Sequence, residues 1–293
     1  MQSLGLLSAL LLLLTPACSY GPVADRSGVV SAVVLPDGET VGVAYQVMRY
    51  RPASGIAAFP DGGIPRYLDD RIVIATTDGK GSRVLQRLEN RGVSGAAAVT
   101  LRTAPSDPGH LLVLYSEQAS TSAALKRRLW RLDTADGRAT PYPDLDAGLA
   151  ASGRRLGSSE FGDVRVVAPD GTLLIGAEGP QGAELWVWSP VAGYRRLDGL
   201  KHFYGVSADE IYYWSGDEAR VMNWRTGAVR VIARYDPARQ QTTTLLPHDP
   251  TVTALQRPAA SQSSLSWNDD EITLTRPDGS ARKIALDRSE LTR

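Results

Sequence analysis

The chain has 293 residues, 43% of them hydrophobic, which excludes global disorder and suits one large domain or two small ones. Lys plus Arg and Asp plus Glu both number 32, so the formal charge is zero, and no basic block predicts a nucleic-acid partner. Together, 28 Gly and 18 Pro exceed the share of an average domain, which predicts many turns.

The chain begins with a short apolar segment, Leu4–Leu14, which is followed by Thr15-Pro16-Ala17. A permanent membrane helix needs about 20 apolar residues, so this segment is typical of a cleaved export signal over residues 1–17. The only cysteine, Cys18, comes directly after it. The run Leu14-Thr15-Pro16-Ala17-Cys18 resembles the lipobox of bacterial lipoproteins, although Thr15 stands where Leu is usual and no Lys or Arg precedes Leu4.

This resemblance implies that the signal is cut before Cys18, that Cys18 is acylated, and that residues 18–27 are a linker to the membrane. Ser19 stands where an aspartate would resemble an inner-membrane retention signal, so the resemblance favours the outer membrane, with the protein facing the periplasm or the cell surface. Ordinary secretion and a buried first strand are the alternatives. With one cysteine, the mature domain cannot form an internal disulfide.

The rest of the chain consists of short runs of Val, Ile, Leu, Tyr and Trp separated by tight turns, a pattern typical of β-hairpins. One hairpin, an apolar strand followed by a turn that ends in Gly, recurs five times. The five turns end at Gly79, Gly137, Gly193, Gly227 and Gly279. We expect a positive φ at each, because hairpin turns need it and Gly adopts it without a Cβ clash.

Two stretches, Val164–Leu197 and His202–Tyr235, each contain four predicted strands joined by three tight turns. Repeated four-stranded meanders are typical of β-propeller blades. The chain therefore resembles an all-β propeller over about residues 28–288, without the Trp-Asp or kelch signature of a subfamily, and residues 289–293 are a C-terminal tail. The hairpins predict five blades. Six blades are the alternative count, and a pair of β-sandwiches is the alternative fold.

Recognisable catalytic and metal-binding motifs are absent from the sequence. Gly157-Ser158-Ser159 lacks the Gly-x-Ser-x-Gly context of a nucleophile, and His110, His202 and His248 do not have zinc-ligand spacing. A glycosidase needs two convergent carboxylates. The predicted inner strands begin at Val29, Val99, Asp163, Tyr204 and near Thr242, and only Asp163 is acidic. We expect no cofactor and no metal, and the sequence favours a non-enzyme without deciding the question.

Half of the chain's aromatic residues lie between Trp186 and Tyr235. Two interpretations are open, because these side chains would form either the core between blades or a platform for a glycan.

A propeller without a recognisable catalytic set favours a non-catalytic scaffold that binds protein partners in the bacterial envelope. The resemblance to propeller lipoproteins that support envelope assembly machines concerns the fold only. The first alternative is a carbohydrate-binding, ligand-binding or carbohydrate-active propeller. The second is a hydrolase with an unrecognised site.

The candidate binding surface is the long connection Arg49–Leu68 inside the first predicted blade, which we interpret as a loop outside the sheet. It combines aromatic residues with arginines, which anchor many protein interfaces. The candidate interface residues are Tyr50, Arg51, Phe59, Arg66 and Tyr67. The alternative is a variable insertion that packs on its own blade.

Overall fold

The computed structural model describes residues 20–53, 65–89, 99–104, 107–117, 126–157, 164–180, 182–198, 200, 203–206, 209–249 and 263–292. Within these ranges the chain forms 21 strands and two short helices, so the fold is all-β. The strands are β1 (Ala24–Val34), β2 (Val41–Arg51), β3 (Arg66–Thr77), β4 (Ser82–Glu89), β5 (Val99–Ala104), β6 (Asp107–Glu117), β7 (Lys126–Asp133), β8 (Ala139–Pro141), β9 (Arg155–Leu156), β10 (Val164–Val167), β11 (Leu173–Gly179), β12 (Gly182–Ser189), β13 (Gly193–Leu197), β14 (Phe203–Val206), β15 (Glu210–Ser215), β16 (Glu218–Asn223), β17 (Val229–Asp236), β18 (Gln241–Thr244), β19 (Ser264–Trp267), β20 (Glu271–Thr275) and β21 (Ala281–Ala285). The helices are α1 (Leu145–Ala150) and α2 (Arg288–Thr292).

The described strands form five antiparallel sheets, each built from strands that are consecutive in the sequence. Blade 1 is β1–β4, blade 2 is β5–β8, blade 3 is β10–β13 with β9 paired to β11, blade 4 is β14–β18, and blade 5 is β19–β21. Such neighbouring meanders are the blades of a β-propeller. The propeller expected from the sequence is confirmed, and the fold is not a pair of β-sandwiches.

The recurring glycine turn is confirmed at all five positions, where φ lies between 70° and 82°. In blades 1 to 4 this turn joins the third strand of the meander to the fourth. In blade 5 the same turn, which ends at Gly279, joins β20 to β21. These two strands therefore correspond to the third and fourth strands of the other blades, and β19 corresponds to their second strand. Consistent with this assignment, β19 contacts β1 of the adjoining blade just as β2 contacts β5.

One predicted inner strand was placed wrongly. Thr242 lies in β18, which pairs with β17 at the outer edge of blade 4. All four side chains of β18 are exposed, whereas inner strands are flanked by neighbouring blades. The polar sequence of β18 therefore reflects an edge strand that faces solvent.

Buried apolar side chains between adjacent blades form the core of the ring. Ile74 and Leu111 pack between blades 1 and 2, Leu114 and Ile175 between blades 2 and 3, and Leu174 and Ile211 between blades 3 and 4. Blade 5 closes on blade 1 in the same way, since Ile272 and Leu274 pack with Val41 and Val73. Leu291 of α2 is 1% exposed and belongs to this last cluster. The described contacts between blades 1, 2, 3 and 4, and between blades 5 and 1, therefore consist of side-chain packing between whole sheets.

Arginine side chains add polar links between adjacent blades. The Arg83 guanidinium of blade 1 donates to the Ala135 carbonyl of blade 2. Arg131 Nη2 of blade 2 donates to the Pro169 carbonyl of blade 3 at 2.7 Å, and Arg195 Nη2 of blade 3 donates to the Trp224 carbonyl of blade 4 at 2.8 Å. These bonds satisfy turn carbonyls that hairpins leave unpaired.

Candidate interaction surface

The end of blade 1 projects beyond its outer strand as a three-stranded ribbon. β4 ends at Glu89, opposite Arg71 of β3, whereas β3 begins five residues earlier, at Arg66. These five residues extend the sheet by about 17 Å. β1 and β2 continue alongside, with Ala24 opposite Tyr50 and Tyr50 opposite Tyr67. We define the ribbon as residues 24–27, 47–51 and 66–70.

The interpretation of Arg49–Leu68 as a loop outside the sheet is therefore wrong at both ends. Arg49–Arg51 belong to β2, and Arg66–Leu68 belong to β3. A register shift between Arg49 and Tyr50 leaves Leu68 as the extra residue of a β-bulge. Phe59 lies outside the described residues.

The described chain begins at the end of this ribbon. Tyr20 forms a β-bridge with Ala53, and the Gly21 amide donates a 2.8 Å hydrogen bond to the Pro52 carbonyl. The N-terminal segment is thereby attached to the end of β2. Cys18, the predicted acylation site, lies outside the described residues, two positions before Tyr20 in the sequence.

The ribbon separates the candidate interface residues onto two faces. Side chains alternate between the faces along a strand, and directly opposed residues share a face. Tyr50 and Tyr67 are opposed on one face, and Arg51 and Arg66 are opposed on the other. The structure thus brings together two pairs, tyrosine with tyrosine and arginine with arginine, and does not form one mixed cluster.

The tyrosine face is a half-buried aromatic pair. The Tyr50 and Tyr67 ring centroids lie 6.2 Å apart, with the ring planes tilted by 43°. Burial raises the pKa of the Tyr67 hydroxyl above its usual value, with smaller contributions from the nearby Asp70 and Tyr50. Asp70 accepts a 2.8 Å hydrogen bond from Gln46 Nε2. The Tyr67 phenol is therefore neutral at physiological pH, and the pair offers a flat, partly apolar surface with hydroxyl groups.

The arginine face carries unbalanced positive charge at its far end. Arg49 pairs with Asp25 at 3.8 Å, and Arg71 pairs with Asp69 at 3.1 Å. Arg51 and Arg66 are exposed, and neither forms an ion pair within the part of the chain that the structure describes.

Three large apolar side chains near the same end are exposed: Tyr20 (38%), Val23 (38%) and Leu68 (47%). We did not predict these residues from the sequence. For Tyr20 and Val23, the sequence signal that could have identified them was their closeness in the sequence to the predicted acylation site, Cys18.

The aromatic residues between Trp186 and Tyr235 lie mainly in the cores. Trp186 is packed between blades 2 and 3, and Tyr213 and Trp224 are packed between blades 3 and 4. Trp188, Tyr194, Tyr212 and Trp214 are partly buried against the same or adjoining clusters. Of the two interpretations of these aromatic residues, the structure supports the core for the side chains that it describes.

A compact polar cluster with a histidine lies around the buried Asp107. Arg131 binds both carboxylate oxygens of Asp107, at 2.6 and 2.9 Å, and His110 Nδ1 lies 2.8 Å from Asp107 Oδ1. The hydrogen bond to Asp107 raises the pKa of the Arg131 guanidinium. His110 Nε2 faces the Asp133 carboxylate at 3.8 Å, so both ring nitrogens face carboxylates. Since Arg131 also donates a hydrogen bond to the Pro169 carbonyl of blade 3, the cluster links blades 2 and 3.

Two further properties concern the described residues only. No three His, Cys, Asp or Glu side chains among them are grouped closely enough to hold a metal ion. No helix within the described ranges is long and apolar enough to cross a membrane.

No protein-family model matches the chain, and no curated protein matches it. Solved structures that the chain matches include the acylaminoacyl peptidase of Pyrococcus horikoshii, at 9% identity and a TM-score of 0.31 over 89% of this chain. PorZ, a surface component of the type-IX secretion system of Porphyromonas gingivalis, has 10% identity and a TM-score of 0.26 over 92% of the chain. The β-propeller domain of the Trilobed protease from Pyrococcus furiosus has 9% identity and a TM-score of 0.30 over 89% of the chain.

The chain spans 46% of the peptidase, 34% of PorZ and 84% of the Trilobed protease domain. Matches at these identities and TM-scores do not indicate the function of this chain. The class that the sheet topology defines is a β-propeller protein with a projecting ribbon on its first blade.

Proposed function

We propose that this protein is an exported, lipid-anchored β-propeller of the bacterial envelope that acts as a non-catalytic scaffold. Its anchor is the acylated Cys18 in the outer membrane, and its protein partner binds the tyrosine face of the ribbon. The observation that carries the proposal is the Tyr50–Tyr67 pair on a projecting, sheet-supported ribbon. Half-buried tyrosines on a rigid support lose little conformational entropy on binding and are enriched among interface anchors.

The anchor makes a direct prediction for the mature N-terminus. Mass spectrometry of protein purified from membranes should show a chain that begins at Cys18 and carries acyl groups. A Cys18→Ser variant should lack the acyl groups. An unmodified N-terminus downstream of Cys18, or retention of Met1, would contradict the anchor.

The partner surface makes a second prediction. A partner that co-purifies with the solubilised wild-type protein should bind Tyr50→Ala and Tyr67→Ala variants more weakly, by about 2 kcal/mol for an anchor residue. Binding is to be measured with the purified partner by calorimetry. Because both tyrosines lie in the sheet, each variant should also lose about 0.5–1 kcal/mol of folding stability with the aromatic pair.

The matched control is Tyr235→Ala, which removes a half-buried tyrosine from β17 of blade 4. It should keep wild-type affinity for the partner. Equal affinities of all four folded proteins would exclude the tyrosine face. A monomer without a partner, whose melting temperature rises with glycans, would support the carbohydrate-binding alternative instead. The aromatic residues that first suggested that alternative are largely in the cores.

A further inference from the structure

The opposed arginines of the ribbon are an unusual arrangement. Arg51 and Arg66 occupy directly opposite positions on one face of an antiparallel ladder. Like charges in this position repel each other and destabilise the strand pair. Neighbouring arginines on the same face, Arg49 and Arg71, each have a carboxylate partner. Within the described ranges, no carboxylate compensates Arg51 and Arg66. An anion bound between the two guanidinium groups would remove the repulsion.

The position of Arg51 and Arg66 in the fold indicates which kind of molecule supplies the anion. Arg51 lies two residues before Ala53, which forms the bridge with Tyr20. The predicted acylation site, Cys18, precedes Tyr20 by two residues in the sequence, and two residues of extended chain span at most about 7 Å. The exposed Tyr20, Val23 and Leu68 lie in the same region. Tyrosine and arginine are the residue types that proteins place at the boundary between headgroups and acyl chains.

We infer that Arg51 and Arg66 bind the phosphate groups of anionic phospholipids, so that the ribbon rests on the membrane that holds the lipid anchor. This inference rests on the proposed acylation of Cys18. A guanidinium group matches a phosphate through two parallel hydrogen bonds, and an anionic leaflet attracts basic residues at its surface. The tyrosine face points to the opposite side of the ribbon and stays available to a protein partner.

The contact also orients the propeller. The ribbon lies at one end of blade 1, and the β1–β2 and β3–β4 turns, with Gly38 and Gly79, lie at the other. Those tight turns therefore face away from the bilayer, and a partner on the tyrosine face binds close to the membrane surface.

The test uses the chain from Ser19 onward, which contains every described residue and no lipid. Its partitioning onto vesicles of phosphatidylglycerol is measured by co-sedimentation at low ionic strength, where the attraction of basic residues is least screened. The Arg51→Gln/Arg66→Gln double variant should partition about thirty-fold more weakly than the parent chain, which is on the order of what two arginines contribute at an anionic surface. Vesicles of phosphatidylcholine should bind both proteins equally weakly.

The matched control is Arg138→Gln/Arg239→Gln, which removes the same net charge from exposed turns of blades 2 and 4. It should partition like the parent chain. An equal loss in both double variants would show a non-specific charge effect and would overturn the inference, as would equal binding by all three proteins. Displacement by inorganic phosphate at constant ionic strength would assign the pair to free phosphate, which also overturns it. Because the assay omits the lipid, its failure leaves the acylation of Cys18 untouched.

Discussion

Gly137 and Gly279 occupy the same turn position in two blades but have different surroundings. Their φ angles are 76° and 82°, which is the left-handed region that disfavours residues with a Cβ. A Cβ on Gly137 would lie 2.7 Å from the Leu85 carbonyl oxygen of blade 1, whereas a Cβ on Gly279 would meet nothing within 4 Å. Gly137 is therefore constrained both by its own turn and by the neighbouring blade.

This difference predicts unequal effects of the same substitution. Gly279→Ala should lower the free energy of unfolding by about 1–2 kcal/mol, the cost of a left-handed residue with a side chain. Gly137→Ala should lose at least about 1 kcal/mol more, because the Leu85 backbone must move to make room. Urea unfolding at 25 °C of the two variants measures the difference, and equal losses would refute a steric role of blade packing at Gly137.

At the scale of the element, the ribbon shows why the sequence suggested a loop. Strands in a core alternate or cluster apolar residues because a neighbouring sheet buries them. The ribbon projects beyond the end of β4, the outer strand of blade 1, and its strands carry Arg, Asp and Tyr instead. Its pairing depends on backbone hydrogen bonds to β1 and on the segment at Tyr20, which no local pattern reveals.

In contrast to the ribbon, the element boundaries in blades 3 and 4 could be predicted from the sequence. The predicted strands between Val164 and Leu197 correspond to β10–β13, and those between His202 and Tyr235 correspond to β14–β17. Each strand there is short, apolar and bounded by a tight turn, so the signal is local. The short helix α1 lies between β8 of blade 2 and β9 of blade 3 and is capped by Asp144, whose side chain accepts a hydrogen bond from the Ala147 amide.

At the scale of the whole molecule, the contact between blades 5 and 1, which we call the closing contact, joins the last described sheet to the first. No strand from the N-terminal part of the chain joins the described sheet of blade 5, so this contact relies on side chains. Glu39, in the β1–β2 turn, binds Arg276 at 2.9 and 2.7 Å and Arg282 at 3.2 Å. The Ser82 amide of blade 1 donates to the Glu290 carboxylate of α2 at 3.2 Å. These bonds surround the apolar cluster that contains Leu291.

The closing contact predicts a dependence of stability on pH. Hydrogen bonds from Arg276, with further attraction from Arg282, hold the pKa of Glu39 below its usual value of 4.5. A carboxylate with a lowered folded-state pKa stabilises the protein above the unfolded-state pKa, and this stabilisation is lost as the pH falls through the folded-state pKa. The free energy of unfolding should therefore fall below about pH 4.5.

The Glu39→Gln variant should be less stable than wild type at neutral pH and should show a shallower acid dependence. Arg276→Gln should flatten the profile similarly, because it removes the group that lowers the pKa of Glu39. Chemical unfolding from neutral to acidic pH provides the comparison. Parallel profiles of wild type and both variants would show that Glu39 contributes nothing to the closing contact.

Local chemistry was sufficient for the all-β class, the five glycine turns and most strands, because a turn needs positive φ and a strand needs alternating burial wherever they occur. The positions of the interface candidates required the tertiary structure. Arg51 and Arg66 are separated along the chain and become opposed only through the register of β2 and β3, which also places Tyr50 and Tyr67 on the other face. Register depends on pairing between distant residues, and a shift by one residue would exchange the faces.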